Sequence, residues 1–448
     1  MPYNRFALFS LVLVLGMLAC ALPGPTTLSP EDQIATQVAA TLTAAAPVSP
    51  EIPAESPVVS AEAPVVSAEP AVPIRHIVYT DGGNVWLIEG DGPAVQVTSS
   101  GGAERVLISG DGEKIAFLWR AAPEGRSELR AVNADGTGET TLLTAGQLDA
   151  LYPPAENILG TDISGMAFIP GTHMVVFNTY AIPEFIGLMM HDDLLTVDAD
   201  TGVMGTLLAG GSGGDFAVSP DGSQIAVVTS TSIALINSDG SGLRPNLVTF
   251  PMVITYSEFL FYPLVVWSPD SSALGAAIPS NDPLIPTPSG SMWRIPADGS
   301  PATLVGTISG HFYFSFWRNS ALSPNLNRVA FTRPTATVNV DELYIANADG
   351  SDELAYVDGI TNWQGWAPDS SHFVYSDSGT PGSLILGEVG TMAWSLGPGT
   401  DVRWISDSEF LFVSGTHGAY ALSRGDLGGA TTALAYPAGN SVWFDFTR

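Results

Sequence analysis

Lysine occurs once in the 448 residues, as Lys114, and cysteine once, as Cys20. Fifteen basic side chains stand against 45 acidic ones, for a formal net charge of -30. A surface so poor in cations repels nucleic-acid phosphates and anionic headgroups, which argues against a nucleic-acid partner and against membrane attachment through a basic patch. The acidity itself is accounted for by solubility. One cysteine cannot build an intrachain disulfide framework, so stability has to come from packing, and with 45% apolar residues the chain can bury a large core. Zinc-type spacing is also missing: His76, His173, His311, His372 and His417 are scattered.

The N-terminus carries an apolar run, Phe6 to Ala19, preceded by Arg5. At 14 residues it is short for a bilayer span and has the length of a signal-peptide core. It ends in Met17-Leu18-Ala19-Cys20, which resembles the bacterial lipobox. The resemblance implies residues 1–20 as a lipoprotein signal peptide with lipidated Cys20, and an extracytoplasmic protein anchored to the bacterial cell membrane by lipid. Met17 stands where that family usually carries Leu, and an ordinary cleaved signal peptide is the alternative. Residues 21–73 are rich in Ala, Pro, Ser and Val, with PVVSAE at both 57–62 and 64–69. Such a composition reads as an extended tether, within which 29–46 has the pattern of an N-capped, alanine-rich helix.

From residue 74 to 448 one pattern recurs: a strand, a Ser-Pro-Asp-Gly-like turn, a strand, a variable loop, a strand, an Asp-Gly-like turn and a fourth strand. The first turn is legible at Ser109, Ile169, Ser219, Ser268, Ser323, Ala367 and, weakly, Ile405. The second is legible at Asp91, Asp135, Asp200, Asp239, Asp298 and Asp349, with degenerate copies near Gly390 and Asp426. Asp and Gly tolerate the positive φ that tight hairpins demand. The first repeat lacks an innermost strand, while SVWFDFT (441–447) is a strand without a repeat, so each is expected to complete the other. These repeats resemble those of TolB-type propellers, best in Phe216 to Gly242 and Ala321 to Asp352. The resemblance implies an all-β propeller, and the eight second turns with the unmatched end strands predict an eight-bladed β-propeller closed by its C-terminal strand, with seven blades as the alternative. It carries little about function, because propellers host many activities.

Gly210-Gly211-Ser212-Gly213-Gly214 fits G-x-S-x-G, but it links two repeats where a hydrolase elbow needs a strand-turn-helix context, and it reads as a linker. His191, Asp192, Asp193, Asp198 and Asp200 invite a calcium reading. The repeat register accounts for most of them, so no cofactor is expected. The long segments, 119–127, 146–162, 180–191, 250–262, 279–292 and 308–318, all fall in the two connection classes that emerge opposite the tight turns. Elaborated loops on one face of a rigid scaffold are where binding resides. Two of these loops are aromatic, placing Tyr256, Phe259, Phe261 and Tyr262 in one and Phe312, Tyr313, Phe314, Phe316 and Trp317 in the other. Either they plug the channel mouth or they form a binding platform. The reading that follows is a cell-surface binding or scaffolding module for an envelope protein, peptide or glycan. The alternative is a propeller hydrolase or lyase with its site at the channel mouth.

Overall fold

The computed structural model describes residues 76–447 apart from 123–124, 257, 313–318, 338–339, 378–381, 392–393, 417 and 440. The signal peptide, Cys20 and the tether lie outside the described residues. The turns read from the sequence join two antiparallel strands, except that at Ser323, where Leu322 makes an isolated bridge to Val329. In the first type, the hydroxyls of Ser109, Ser219 and Ser268 donate to Asp111, Asp221 and Asp270 over 2.6 to 2.7 Å. The same carboxylate oxygens accept the backbone N–H two residues on, at Glu113, Ser223 and Ser272. The turn then needs a left-handed residue. At Gly222 (φ 73°) a Cβ would fall 2.4 Å from Pro170 O, which requires glycine. Ser271 and Ser370 adopt φ of 57° and 59° at the matching positions. Each hydroxyl accepts a backbone N–H from the preceding repeat, of Asp221 and Asn325 respectively, at 3.0 Å, a link that glycine lacks.

The first sheet comprises Val95–Gln96, Asn84–Glu89, His76–Asp81 and, on its inner side, the last strand, Phe444–Phe446. The second runs from Ala103–Ile108 to Thr140–Leu143, the third from Ile158–Phe168 to Met204–Leu208 and the fourth from Asp215–Val218 to Arg244–Thr249. The fifth runs from Val265–Trp267 to Thr303–Ser309, and the sixth from Arg328–Pro334 to Leu354–Asp358. A seven-stranded run follows, from Ile360–Trp366 to Thr431–Ala435. It bends within Trp394–Trp404, whose first part pairs with Ser383–Glu388 and whose second part pairs with Glu409–Thr416, giving a seventh and an eighth meander. Among the described residues one helix interrupts the strands, Ala145–Leu151, capped by Thr144 and Gln147 in a reciprocal capping box.

Strand alternation distributes the core. In Lys114–Trp119, Ile115 and Phe117 pack toward the first sheet, while Ala116 and Leu118 pack toward the third. Both faces are buried, so the strand reads as an unbroken apolar run. Eight apolar clusters result, each lying between two successive meanders. The eighth meander packs on the first through Leu411, Leu422, Ile77 and Phe444. Side chains also reach between neighbours: Trp267 Nε1 donates to Ala217 O (3.0 Å) and Trp366 Nε1 to Ala321 O (2.8 Å). Asn178 Nδ2 donates to Gly214 O (2.9 Å), and Arg403 Nη1 to Phe444 O (2.7 Å).

Candidate functional site

The elaborated loops of the third, fourth and fifth meanders lean on one another. Glu184 N donates to Asn157 O (2.9 Å), Ile254 N to Asn281 O (2.7 Å) and the Tyr256 hydroxyl to Asp282 (2.7 Å). The Tyr262 hydroxyl donates to Asp192 (3.0 Å), joining 250–262 to 180–192. Arg126 fastens the base of the first loop, donating to Asp149 and to Thr161 O at 2.6 Å each.

These linked loops carry an apolar rim. Of 19 markedly exposed large apolar side chains among the described residues, 11 stand here, including Ile186 (75% exposed), Leu284 (64%), Tyr256 (61%) and Phe185 (57%). Leu159, Met189, Met252, Ile254, Phe259, Leu260 and Ile285 complete the group. The other eight lie scattered outside these loops, on or beside outer strands, so the concentration on one face is a property of the loops. Singly exposed apolar residues are ordinary, whereas contiguous patches mark contact surfaces.

The aromatic residues singled out from the sequence divide between the two readings. Tyr256 and Phe259 are exposed, while Phe261 and Tyr262 are half-buried and Tyr262 packs against the core between the fourth and fifth meanders. Phe312 corrects the platform reading at its own position: it is 6% exposed and stacks on Phe331 with centroids 5.4 Å apart, so it is core. Tyr313, Phe314, Phe316 and Trp317 lie outside the described residues. Phe185, Ile186 and Leu284 were missed, since isolated Phe, Ile and Leu in a loop look like ordinary core residues. A usable signal was their position beside Pro183 and Pro283, on segments too irregular to bury them.

Beneath the rim, His191 stacks on Tyr152 with centroids 3.9 Å apart and its Nδ1 lies 2.8 Å from the Thr179 hydroxyl. That hydroxyl donates to Asp193 (2.6 Å), which also accepts Thr179 N (2.8 Å). Burial pushes the His191 pKa down against the pull of Asp193 and Asp192, so the ring is held toward its neutral form. Burial, with Asp193 adding, raises the Tyr152 phenol to about 12. Burial likewise raises Asp192 and Asp215. The cluster is hydrogen-bonded within itself and fixes the loop bases.

The residues of the calcium reading separate: Asp192 and Asp193 precede the strand Leu194–Asp198, while Asp198 and Asp200 cap the turn at its far end. A different set converges on the tight-turn side, around a cavity of about 590 Å3 lined by His76, Glu89, Asp111, Glu113, Asp135 and Asp200 among others. His173 Nδ1 lies 2.7 Å from Asp200 and its Nε2 lies 2.9 Å from Asp111, while Lys114 Nζ holds Asp200 at 2.8 Å. Ligand atoms of Asp111, Glu113 and His173 fall within 4.8 Å of one another, a group that could hold a metal ion. The sequence hid this convergence because its members come from separate repeats.

Burial opposes charge on His173, but the hydrogen bonds to Asp200 and Asp111 outweigh it and raise the pKa above 6.5. A raised folded-state value stabilises fully below 6.5, and the contribution is lost as pH rises through the folded value. Hydrogen bonds in the turns lower Asp221, Asp239 and Asp349 below 3.8, so their stabilisation is present above 3.8 and is lost as pH falls through the folded values. The melting temperature is therefore expected to decline on both sides, and His173→Gln should flatten the part of the alkaline decline that begins near 6.5. A variant whose melting temperature follows the parent's pH profile would show that His173 does not titrate in the fold.

No protein-family model matches the sequence, and no curated protein matches it. Among solved structures, an oligogalacturonate lyase in complex with manganese is 13% identical, with a TM-score of 0.45, over 81% of this chain and 97% of that one. TolB from Acinetobacter baumannii is 14% identical, with a TM-score of 0.37, over 76% of this chain and 67% of that one. The propeller domain of the Trilobed protease from Pyrococcus furiosus is 11% identical, with a TM-score of 0.41, over 75% and 98%. Successive antiparallel meanders, with the last strand joined to the first sheet, decide the architecture. The fold is a β-propeller of antiparallel meanders.

At the turn-side end of the inner strands, the propeller has an apolar cavity of about 470 Å3. Trp267, Trp366 and Trp404 line it with Pro220, Pro269 and Pro324. These residues belong to the repeats themselves: the tryptophans end inner strands and the prolines open first turns. The indoles of Trp267 and Trp366 donate to backbone carbonyls of the neighbouring meander, so packing and hydrogen bonding explain their presence.

Proposed function

We propose that the protein is a lipid-anchored, eight-bladed propeller whose ring is closed by the C-terminal strand, and that it binds a protein or peptide outside the cytoplasmic membrane through its loop face. The single observation that supports this is the apolar rim, 11 large side chains on mutually bonded loops. A surface of that kind loses unfavourable hydration when a partner covers it, at about 25 cal/mol per Å2. A glycan, presenting hydroxyls throughout, would offer the rim little apolar area. Loops tied by backbone hydrogen bonds also lose little conformational freedom on binding, which favours affinity.

The experiment is capture from envelope extract by the immobilised full-length protein in mild detergent. Phe185→Ser with Ile186→Ser should lose the captured partner while melting like the parent, because both side chains are exposed. Val203→Ser, an exposed apolar residue beside a tight turn, should retain it. A partner held equally by all three proteins places binding elsewhere.

Anchoring rests on Cys20. Among the described residues no helix is long and apolar enough to cross a membrane. One acyl chain holds a protein only marginally, so stable attachment requires the several chains that lipobox processing supplies. Cys20→Ala is expected to abolish incorporation of labelled fatty acid and to release the protein from the membrane fraction. Retention of the unlabelled variant in that fraction would overturn the anchor.

A further inference from the structure

We infer that the loop face selects a cationic amphipathic segment, a peptide or helix with one apolar side bordered by Lys or Arg. This rests on the loop-face reading and adds the chemistry of the partner.

The argument begins with a pattern shared by four loops. In each, an acidic residue stands shortly before the exposed apolar side chains: Glu156 before Leu159, Glu184 before Phe185 and Ile186, Glu258 before Phe259 and Leu260, Asp282 before Leu284 and Ile285. Glu156, Glu184 and Glu258 are themselves exposed. Residues 152–162, 180–192, 250–264 and 279–289 contain no lysine or arginine. The arginines at the base of the first loop are committed elsewhere, Arg126 to Asp149, and Arg120 to Glu104 and Asp162. The rim is therefore apolar and bordered by carboxylates, and the four segments that build it carry no lysine or arginine to neutralise them.

The segments that carry these acids also touch one another. Glu184 N is bonded to Asn157 O, beside Glu156, and a Cβ built on Gly187 would lie 3.7 Å from Glu258 Cβ. Like charges gathered around an apolar patch repel one another until a cation-bearing partner covers them, which gives electrostatic selection in addition to apolar contact. Amphipathic helices present this combination when one side is apolar and the flanks are basic. An anionic bilayer presents the opposite charge pattern and is disfavoured.

The test uses the full-length protein in mild detergent and two synthetic amphipathic peptides, one of leucine and lysine and one of leucine and glutamate, each about five helical turns long. The Leu/Lys peptide is expected to bind at least about tenfold more tightly than the Leu/Glu peptide, with an affinity that falls as salt rises. The triple variant Glu156→Gln, Glu184→Gln, Glu258→Gln should weaken the Leu/Lys peptide about fivefold and flatten its salt dependence. A matched triple on the turn side, Asp91→Asn, Asp298→Asn, Asp407→Asn, should leave binding unchanged. Equal weakening by both triples would mean attraction to the overall charge alone and would overturn the inference. Equal affinity for the two peptides, with both lost in Ile186→Ser plus Leu284→Ser, would overturn the charge selection and leave the loop-face reading standing. If neither peptide binds and envelope capture survives Phe185→Ser with Ile186→Ser, both readings fall. Tighter binding to phosphatidylglycerol vesicles than to the Leu/Lys peptide would overturn it in favour of a membrane.

Discussion

Deleting residues 441–448 is expected to abolish cooperative melting, although the segment is at the end of the chain. Its strand Phe444–Phe446 pairs antiparallel with His76–Asp81, Ile77 facing Phe446 and Tyr79 facing Phe444. Phe444 is 1% exposed and sits in the cluster that joins the eighth meander to the first. Loss of one such aromatic alone costs about 3 to 5 kcal/mol. The segment also links three meanders: Arg403 donates to Phe444 O at 2.7 Å, Ile108 N donates to Asp445 at 3.0 Å, and Thr80 N donates to Trp443 O at 2.9 Å. Its removal would leave the backbone edge of His76–Asp81 open to pairing with other chains. Calorimetry should show a broad transition at lower temperature, accompanied by aggregation. A truncated protein that melts sharply at the parent's temperature would show that the pairing contributes nothing to stability.

Phe373→Ala is expected to lower stability by about 3 to 5 kcal/mol. Phe373 is fully buried between the sixth and seventh meanders, and its ring lies 5.5 Å from Trp363, 5.3 Å from Trp366 and 5.0 Å from Tyr356, centroid to centroid. The edge-on contacts with Trp366 and Tyr356 add to the area term, because ring edges and faces carry opposite partial charge. Gly387 supplies an internal control. A Cβ there would lie 2.6 Å from the Phe373 ring, so Gly387→Ala alone should destabilise, whereas combined with Phe373→Ala it would enter vacated space. The double variant should therefore lose less than the sum of the two single losses, as contacting positions do. Strict additivity in urea unfolding would mean that the two sites do not share that space.

The regular part of the fold was legible because it is written locally. Ser219-Pro220-Asp221-Gly222 specifies its own hairpin through a hydroxyl, a carboxylate and a left-handed glycine within four residues. The pairing of 441–447 with the first repeat was legible for a different reason: an unmatched strand at each end of a repeat array leaves one arrangement that buries both. Orientation of single loop side chains was not legible. Phe312 and Phe259 have similar local sequences, yet one stacks in the core and the other stands 44% exposed, because the difference is made by Phe331 and by neighbouring loops. The ion cluster at His173 was hidden for the same reason, since Asp111 and Asp200 come from turns far apart in the sequence and meet only when two meanders pack.

Pairing between the first and last described strands also bears on the order of events during folding. Apart from the last strand, each meander is built from contacts between near neighbours in the chain, so its strands can pair quickly. Ile77 and Phe446, by contrast, meet across almost the whole described sequence, and closing so long a loop carries a larger entropic cost than closing any hairpin within a meander. The last strand should consequently dock late, after the meanders it bridges. Until then the nascent chain is a row of folded meanders with one edge open, and a chaperone or a second copy would find its target there rather than anywhere on the finished surface.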